Sequence, residues 1–441
     1  MDRFVRVPSG AARSRSDSIR YAGVATVLVL ACTALQLLYQ DGARSWDTIY
    51  AEDGFLFFEQ AQRYGIASIV RPYVGYGHLG PRILALPTRW VPLEQLAQYL
   101  AFAGALTTSL AALSVYLLTR GVISSRVLRV VLAASVALLP VMAFENLANI
   151  TNVIWPLTFA CFWALVREPR TRADILLGGA VAFIGAASAG LTLLFLPLAA
   201  WALWTRRTRA QAVVVGAFAA AALFQVVMWV SDSSPIAGND ERDLSLGLLR
   251  LFATRVLAST AVGENWAKEL FEQSGYSVLL PISVVVSCVV VALFVFATAP
   301  ARWLGGIAVI YAFVMFFFPL AVRGSLGMVP FDHVWVSNGS RYAGLSILLL
   351  LSGIFIMVDA ARFSESVRRA AVGGLALLFV AQVVFAFPAL NSRSVGPEWR
   401  SELVASARRC RATAARIVVI PITPSGWSLF VLCRDARDAV T

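Results

Sequence analysis

The sequence predicts an all-α polytopic membrane protein with about 11 transmembrane helices, and three observations support this fold class. First, 59% of the 441 residues are hydrophobic and only 14% are charged, with a mean hydropathy of +0.74. A soluble protein of this composition has too few charges to cover its apolar surface. Second, apolar stretches of span length recur along the chain. Third, arginine-rich segments alternate with loops that contain few basic residues.

Windows of about 19 residues locate the spans. The predicted stretches are 21–39, 94–119, 127–144, 152–166, 174–187, 190–204, 210–230, 277–299, 304–322, 343–358 and 370–388. The first stretch lies far from the N-terminus and lacks a small-residue cleavage site, so it is predicted to be a retained helix. The stretches 174–187 and 190–204 are short, and either two spans or one broken helix fits them.

The arginines predict the orientation. Basic clusters precede the first span and follow the second, fourth and sixth spans, whereas the loop 145–151 has no basic residue. Because basic residues near span ends stay in the cytoplasm, residues 1–20 are predicted to be cytoplasmic and the C-terminus extracytoplasmic, in the plasma membrane. The net charge of +12 lies mostly in the cytoplasmic segments. Anionic lipid headgroups are the nearer counter-charge there, which argues against a nucleic-acid partner.

The long polar segments of the chain lie on the predicted outer face. The membrane domain (21–388) has outer loops at 40–93, 231–276 and 323–342, and residues 389–441 follow it as a small extracytoplasmic α+β domain with a helix and two strands. A domain of about 50 residues buries little core. A disulfide between Cys410 and Cys433 is therefore expected in this oxidising location.

Adjacent carboxylates, Glu52 and Asp53, lie shortly after the first span. Two interpretations are open. The two acids are either solvated or cap a helix that starts near Gly54, or one of them is a general base that takes a proton from an acceptor hydroxyl.

The topology and this acidic pair resemble the GT-C superfamily of integral-membrane glycosyltransferases. Glu-Asp-Gly at 52–54, Pro-Tyr-Val-Gly-Tyr at 72–76, Asn-Gly-Ser-Arg-Tyr at 338–342 and the cysteine-containing tail resemble an uncharacterised bacterial branch of it. The resemblance implies an inverting transfer of a hexosyl or pentosyl group from a polyprenyl-phosphate donor to a glycan, lipid or protein of the cell envelope. It also implies Asp53 as the base, with Glu52 as its neighbour or substitute.

Donor phosphates require cations on the same side of the membrane. Arg341 enters the tenth span from outside and Arg82 lies close to the second span, so both are candidates for the phosphate site. The alternative is that each anchors the chain at headgroup depth.

Sugar or acceptor binding is predicted at two places. If the segment joining the third and fourth spans is helical, Asn146, Asn149, Asn152 and Trp155 line one face, which could bind a sugar or hold helices together. The second place is the aromatic turn of the first outer loop, with candidates Tyr73, Tyr76 and His78.

His78 and His333 are the only histidines, and no ligand spacing surrounds them, although Asp332 precedes His333. No metal ligand is therefore predicted, and a requirement for a divalent cation is left open. Two rival functions also remain: a transporter or flippase of a lipid-linked sugar, and a non-catalytic partner in envelope assembly.

Overall fold

The structure is a computed structural model that describes residues 15–232, 246–323, 339–391 and 393–440. Within these ranges, each predicted apolar stretch coincides with a helix. In chain order the helices are α1 (Arg15–Leu38), α2 (Leu96–Leu118), α3 (Arg126–Leu138), α4 (Ile154–Val166), α5 (Arg172–Ser188), α6 (Leu196–Arg206), α7 (Arg209–Ser231), α8 (Tyr276–Phe296), α9 (Ala299–Arg323), α10 (Ser340–Asp359) and α11 (Glu365–Phe385).

Seven helices in the described ranges are long and apolar enough to cross a membrane. They occupy Leu93–Leu118, Arg126–Ala143, Arg209–Ser231, Tyr276–Phe296, Ala299–Val322, Ser340–Asp359 and Glu365–Phe385. Shorter apolar helices occupy Ala22–Leu38, Thr151–Val166 and Gly190–Arg206. The helical fold class is thus confirmed, while the prediction of about 11 crossings depends on the shorter helices as well.

Short helical segments fill the connections between these helices. They are α-helices at Glu59–Tyr64, Leu79–Ala85, Pro140–Ala143, Leu246–Phe252, Ser259–Val262 and Glu264–Ser274, π-helices at Asp53–Phe58 and Ala253–Ala258, and 3-10 helices at Ser45–Asp47, Gly65–Val70, Leu86–Arg89, Leu93–Gln95, Thr151–Val153 and Gly190–Phe195.

The two ends of the bundle differ in composition. At one end, which we call the arginine end, Asp359 accepts hydrogen bonds from the backbone N–H groups of Ser124 and Ser125. At the other, which we call the loop end, the backbone N–H of Gly80 donates to the Ser188 hydroxyl at 2.9 Å. The connections after α2 and α10 therefore meet at the arginine end, where Nη1 of Arg167, after α4, would lie 2.7 Å from a Cβ atom at Gly121.

The helices α5 and α6 are separate elements that run in opposite directions. Ser188 ends α5 at the loop end, Ala189 has extended backbone angles, and α6 then returns to the arginine end. There Arg206 donates to the carbonyl of Leu165, at the end of α4. The two short apolar stretches are therefore two helices and not one broken helix.

Helix α10 occupies the centre of the bundle, and 94% of its most apolar window is buried. It packs closely on α9, because a Cβ atom at Gly353 would lie only 2.8 Å from the carbonyl oxygen of Gly305. Small residues at such a crossing let two helix backbones approach. By contrast, only 6% of the corresponding window of α11 is buried, so that helix lies at the periphery.

A small α+β unit follows the bundle. It contains α12 (Trp399–Ala412), the strands β1 (Ile417–Ile422) and β2 (Trp427–Leu432), and a last helix at Cys433–Asp438. The strands pair antiparallel, with Ile417 opposite Leu432. The predicted disulfide between Cys410 and Cys433 is present and joins the first and last helices of the unit.

The core of this unit is continuous with the first outer loop. Side chains of β1, β2 and α12 pack with Leu56, Phe57 and Phe58 of the Asp53–Phe58 helix and with the start of α2. In addition, the indole N–H of Trp399 donates to the carbonyl of Leu93 at 2.9 Å. The C-terminal unit therefore holds the segment that contains the acidic pair.

Candidate active site

The C-terminal unit fixes the backbone just before the acidic pair. Thr423, at the turn between β1 and β2, pairs with Tyr50 as an isolated parallel bridge. Its backbone N–H donates to the carbonyl of Ile49 at 3.0 Å, and its own carbonyl accepts from the N–H of Ala51. Hydrogen bonds thus connect both Ile49 and Ala51 to Thr423, and Glu52 and Asp53 follow directly in the chain.

Gly54 allows the acidic segment to lie close to the hairpin. A Cβ atom at this position would lie 2.9 Å from Cδ1 of Ile422 and 3.0 Å from Cγ2 of Ile49. Any larger residue would require these side chains to move. Next to it, Phe55 is 42% exposed and contacts Trp427 edge to face at 5.6 Å.

Asp53 lies inside the protein and only 1% of it is exposed. One carboxylate oxygen accepts from the N–H of Ile150 at 3.0 Å, and the other accepts from the N–H of Thr151 at 2.8 Å and from the Thr151 hydroxyl. Burial raises the pKa of Asp53 to about 6, and these hydrogen bonds and the charge of Arg393 counteract part of that rise. Asp53 therefore anchors the segment that joins α3 to α4.

The segment joining α3 to α4 is not the helix on which the asparagine prediction depends. Residues 144–148 form turns, and Ala148 has a positive φ of 47°. The side-chain amides of Asn149 and Asn152 donate to the carbonyl of Glu145, at 2.7 and 2.9 Å. These amides thus stabilise the backbone of their own segment, which we call the 144–153 loop.

Two residues far away in sequence enclose the 144–153 loop. The guanidinium of Arg393, of which 3% is exposed, donates to the carbonyl of Ala148 at 3.1 Å and to that of Leu147. Burial lowers the pKa of Arg393 to about 10, although the charge of Asp53 counteracts this. On the other side, a Cβ atom at Gly104 of α2 would lie 2.5 Å from the carbonyl oxygen of Asn149.

Glu145 connects the 144–153 loop to α10. Its side chain is fully buried, and one oxygen accepts from the Ser340 hydroxyl at 2.9 Å and from the N–H of Arg341 at 3.0 Å. The other oxygen lies 3.5 Å from Nη1 of Arg341. A carboxylate is favourable at a helix N-terminus because the unpaired N–H groups and the helix dipole point towards it.

Glu52 differs from Asp53 in its surroundings. It is only partly buried, and it interacts electrostatically with Arg341 and Tyr50. The side chain of Arg341 is itself 27% exposed. We call Glu52, Tyr50, Glu145 and Arg341 the Glu52 cluster, since the structure brings these groups together at the loop end.

Tyr50 interacts electrostatically with both acids of the cluster. Burial raises the pKa of the Tyr50 phenol far above its usual range, and the charges of Glu145 and Glu52 raise it further. The phenol also forms a hydrogen bond with the side chain of Asn152. Tyr50 therefore stays protonated and can donate a hydrogen bond at neutral pH.

Trp155 borders the same cluster. Its indole N–H donates to Oδ1 of Asn152 at 3.3 Å, and its ring contacts Tyr342 edge to face at 5.2 Å. Since Tyr342 follows Arg341 and its ring lies 5.3 Å from the Arg341 guanidinium, Trp155 and Tyr342 form one aromatic wall beside that cation.

The aromatic turn of the first outer loop is a second, separate feature. Tyr73 and Tyr76 pair across it, and the ring of His78 stacks on Tyr76 at 4.1 Å. Helix α7 contacts the turn, because the side chain of its residue Gln225 accepts a hydrogen bond from the backbone N–H of Gly77 at 2.8 Å. The predicted residues Tyr73, Tyr76 and His78 therefore do lie together.

Arg82 lies beside this turn and not in the Glu52 cluster. Only 1% of it is exposed, and Nη1 donates to Gln60 at 2.8 Å, whereas Nε and Nη2 have no hydrogen-bond partner in the described ranges. Burial lowers the pKa of Arg82 to about 10, and the charge of Arg71 lowers it further. Of the two predicted phosphate ligands, only Arg341 lies beside an acid of the predicted pair.

Sequence reasoning missed Glu145 and Arg393. Glu145 is the only acid in the loop between the third and fourth spans, and an isolated acid directly after an apolar stretch is a signal that could have drawn attention to it. Arg393 gives no such signal, since its acceptors are backbone carbonyls. Asn338, Asp332 and His333 lie outside the described residues.

The described parts of the chain contain no group of three or more His, Cys, Asp or Glu side chains that could hold a metal ion.

Comparisons with known proteins do not identify a family for this chain. No family model matches the chain, and no curated protein matches it. Among the solved structures that match is an oligosaccharyltransferase from Archaeoglobus fulgidus in complex with zinc and sulfate. The two chains are 15% identical with a TM-score of 0.37, and the match covers 89% of this chain but only 56% of the archaeal one. A likeness at this level carries no argument about activity.

Proposed function

We propose that this protein is a membrane glycosyltransferase that moves a sugar from a polyprenyl-phosphate donor to a cell-envelope acceptor at the loop end of the bundle. One observation carries the proposal: Glu52, a partly exposed residue, lies near enough to Arg341 for the two charges to act on each other, and the side chain of Arg341 is also partly exposed. A base and a phosphate-binding cation at the entrance of a membrane span are the two groups that this reaction requires.

Glu52 is the base in this proposal, and Asp53 positions it. Both oxygens of Asp53 already accept hydrogen bonds from the 144–153 loop, and 1% exposure leaves no room for an acceptor hydroxyl. Glu52 precedes Asp53 directly, so the anchor at Asp53 fixes the backbone from which Glu52 projects. A base must come within about 3 Å of the proton that it removes, which favours Glu52, the partly exposed member of the pair.

Arg341 binds the donor phosphate in this proposal. Glu145 contacts Nη1 of Arg341 and its backbone N–H, which holds the guanidinium while part of it remains exposed. Phosphate oxygens pair well with the planar array of guanidinium donors. Glu145 therefore acts through Arg341 and does not itself contact the substrate.

The transfer balances as a single displacement. Glu52 removes the proton from the acceptor hydroxyl, and the acceptor oxygen forms a bond to the anomeric carbon of the sugar. The bond from that carbon to the phosphate oxygen breaks, and its electron pair leaves with the polyprenyl phosphate. Arg341 stabilises the additional negative charge on the leaving phosphate. A single displacement inverts the anomeric configuration.

The aromatic residues supply surfaces for the sugar. Trp155 and Tyr342 lie beside Arg341, and we assign them to the part of the site that holds the donor sugar next to its phosphate. Tyr73, Tyr76 and His78 form a separate aromatic surface that we assign to the acceptor. Asn149 and Asn152 contribute indirectly, by maintaining the shape of the 144–153 loop.

The proposal is tested by incubating membranes that contain the protein with radiolabelled polyprenyl-phosphate sugars and envelope extract. Wild type and Glu52→Gln are compared at matched expression, with Glu94→Gln as the control because Glu94 is an exposed acid directly after the same loop. We expect transfer by wild type and Glu94→Gln and its loss in Glu52→Gln. An absence of transfer from every donor by wild type would contradict the function, and full transfer by Glu52→Gln would contradict the base.

A further inference from the structure

Arg129 is a buried cation at the arginine end with unused donors. It lies in the first turn of α3, and only 7% of it is exposed. Its Nε and Nη1 atoms have no hydrogen-bond partner among the described residues. The guanidinium lies over the ring of Tyr116 of α2, 4.9 Å from its centroid. Burying guanidinium N–H groups without acceptors is costly, so a missing acceptor is expected here.

Two partly buried arginines at this end have acceptors within the protein. Arg206 donates to the carbonyl of Leu165 at 3.3 Å and to Gln211 at 3.0 Å. Arg167 lies 3.5 Å from the carboxylate of Asp174. Nε of Arg167 and Nε of Arg302 also lack a hydrogen-bond partner in the described residues. Arg129 differs from Arg167 because two of its donor atoms are unpaired and, within the described residues, it forms no salt bridge.

The carboxylate that acts electrostatically on Arg129 is that of Asp359, and it already accepts hydrogen bonds from other groups. Asp359 accepts from the N–H of Ser124 at 2.6 Å, from the Ser124 hydroxyl at 2.8 Å and from the N–H of Ser125 at 2.9 Å. It thus stabilises the connection that precedes α3. It balances only part of the local positive charge, because Arg120 and Arg126 also act on Arg129.

Apolar side chains flank these arginines. Val127 and Val130, one residue after Arg126 and one after Arg129, are 47% and 53% exposed on α3. Basic pockets beside exposed apolar helix surfaces bind the headgroups of anionic lipids on the cytoplasmic side of membranes. The acyl chains of such a lipid would cover the valines, while its phosphate would pair with Arg120 and Arg126 at the surface and with Arg129 after a local movement of α2 or α3, because Nε and Nη1 of Arg129 are buried.

We propose that Arg129, together with Arg120 and Arg126, binds a phosphate-bearing anion at headgroup depth between α2 and α3. The planar guanidinium of Arg129 supplies two of the donors, and the two outer arginines supply further positive charge. The site is independent of the proposed glycosyl transfer, which takes place at the opposite end of the bundle.

The experiment uses the purified full-length chain in a neutral detergent. Its thermal unfolding midpoint and its binding affinity are measured with added phosphatidylglycerol, with phosphatidylcholine and with inorganic phosphate. The variants are Arg129→Gln and, as a matched control, Arg172→Gln, because Arg172 is an exposed arginine at the same end. Arg129→Lys keeps the charge but loses the paired donors.

We expect phosphatidylglycerol to raise the midpoint of wild type and of Arg172→Gln, and phosphatidylcholine to have no comparable effect. In Arg129→Gln, the affinity for phosphatidylglycerol should fall roughly tenfold. The affinity of Arg129→Lys should lie between those of wild type and Arg129→Gln. An equal rise with inorganic phosphate would identify a free phosphate as the ligand, and the site would stand.

Two results would overturn the proposal: no response of wild type to either phosphate probe, or equal affinity of wild type and Arg129→Gln. If Arg129→Gln does not fold, the double variant Arg120→Gln/Arg126→Gln leaves the buried residue in place. It should lower the affinity severalfold, and an unchanged affinity would count against the site.

Discussion

The carboxylate of Asp53 accepts a hydrogen bond from the backbone N–H of Ile150 at 3.0 Å, although 97 residues of chain separate the two. This bond joins the first outer loop to the loop between α3 and α4. Glu52 and Glu145 lie on the two joined segments, so the bond between Asp53 and Ile150 brings together the acids of the Glu52 cluster.

Replacing Asp53 by Asn should destabilise the folded protein. A carboxyl group has lone pairs on both oxygens, whereas an asparagine amide nitrogen has none and would leave a buried N–H of Ile150 or Thr151 without an acceptor. We expect a loss of about 1–3 kcal/mol in the free energy of unfolding at pH 5. Asp41→Asn, at an exposed site in the same loop, should change it by less than about 0.5 kcal/mol. A loss no larger than that of the control would argue against the anchor.

The stability difference between wild type and Asp53→Asn should depend on pH. Burial raises the pKa of Asp53 from its ordinary value of 3.8 to about 6, so the folded chain holds this proton more tightly than the unfolded chain. The resulting stability is complete below pH 3.8 and is lost as the pH rises through about 6. Wild type should therefore lose up to about 3 kcal/mol relative to the variant between pH 4 and pH 7. A difference that grows with pH would show that the hydrogen bonds outweigh burial.

Gly104 should not tolerate a methyl group. The Cβ atom of Gly104→Ala would lie 2.5 to 2.7 Å from the backbone O, C and N atoms of Asn149, so α2 or the 144–153 loop would have to move. We expect a loss of about 1–3 kcal/mol in stability, together with lower transfer activity. In Gly216→Ala the new methyl meets no atom within 4 Å, and better helix propensity should leave stability equal or raise it by up to about 1 kcal/mol. Equal effects of the two changes would contradict the close approach.

Reduction of the disulfide should loosen the C-terminal unit. Cys410 and Cys433 are 23 residues apart, and loop-closure entropy for a loop of this size contributes about 3 kcal/mol. Hydrogen exchange should therefore become faster in residues 399–440 after reduction or in Cys410→Ala. Cys288→Ala, which removes an exposed free cysteine, serves as the control and should not alter that exchange. Unchanged exchange after reduction would show that packing alone holds the unit.

The sequence predicts the helices more completely than the site. Hydropathy locates the helices of the bundle because each must present an apolar surface along its whole length. The disulfide between Cys410 and Cys433 could be predicted because two thiols in a small unit that is predicted to be extracytoplasmic have few other partners. The different surroundings of Asp53 and Glu52 could not be predicted from the sequence, since they depend on Ile150, Thr151 and Arg341, which are distant in the chain.

The asparagines of the 144–153 loop illustrate the same limit. A spacing of three residues predicts one helical face only if the backbone is helical. Asn149 and Asn152 instead donate to the carbonyl of Glu145, and side chains that bond to nearby backbone favour turns over helices. The pattern identified an important segment but not its conformation.

The most direct test of the central claim is the specific activity of Glu52→Gln and Asp53→Asn per mole of folded protein, measured well below the unfolding temperature of each. We predict that Glu52→Gln keeps the wild-type unfolding temperature and loses roughly 10²–10⁴-fold in sugar transfer, while Asp53→Asn unfolds earlier but transfers sugar as long as it is folded. The reverse pattern, an active Glu52→Gln and a folded but inactive Asp53→Asn, would contradict the account.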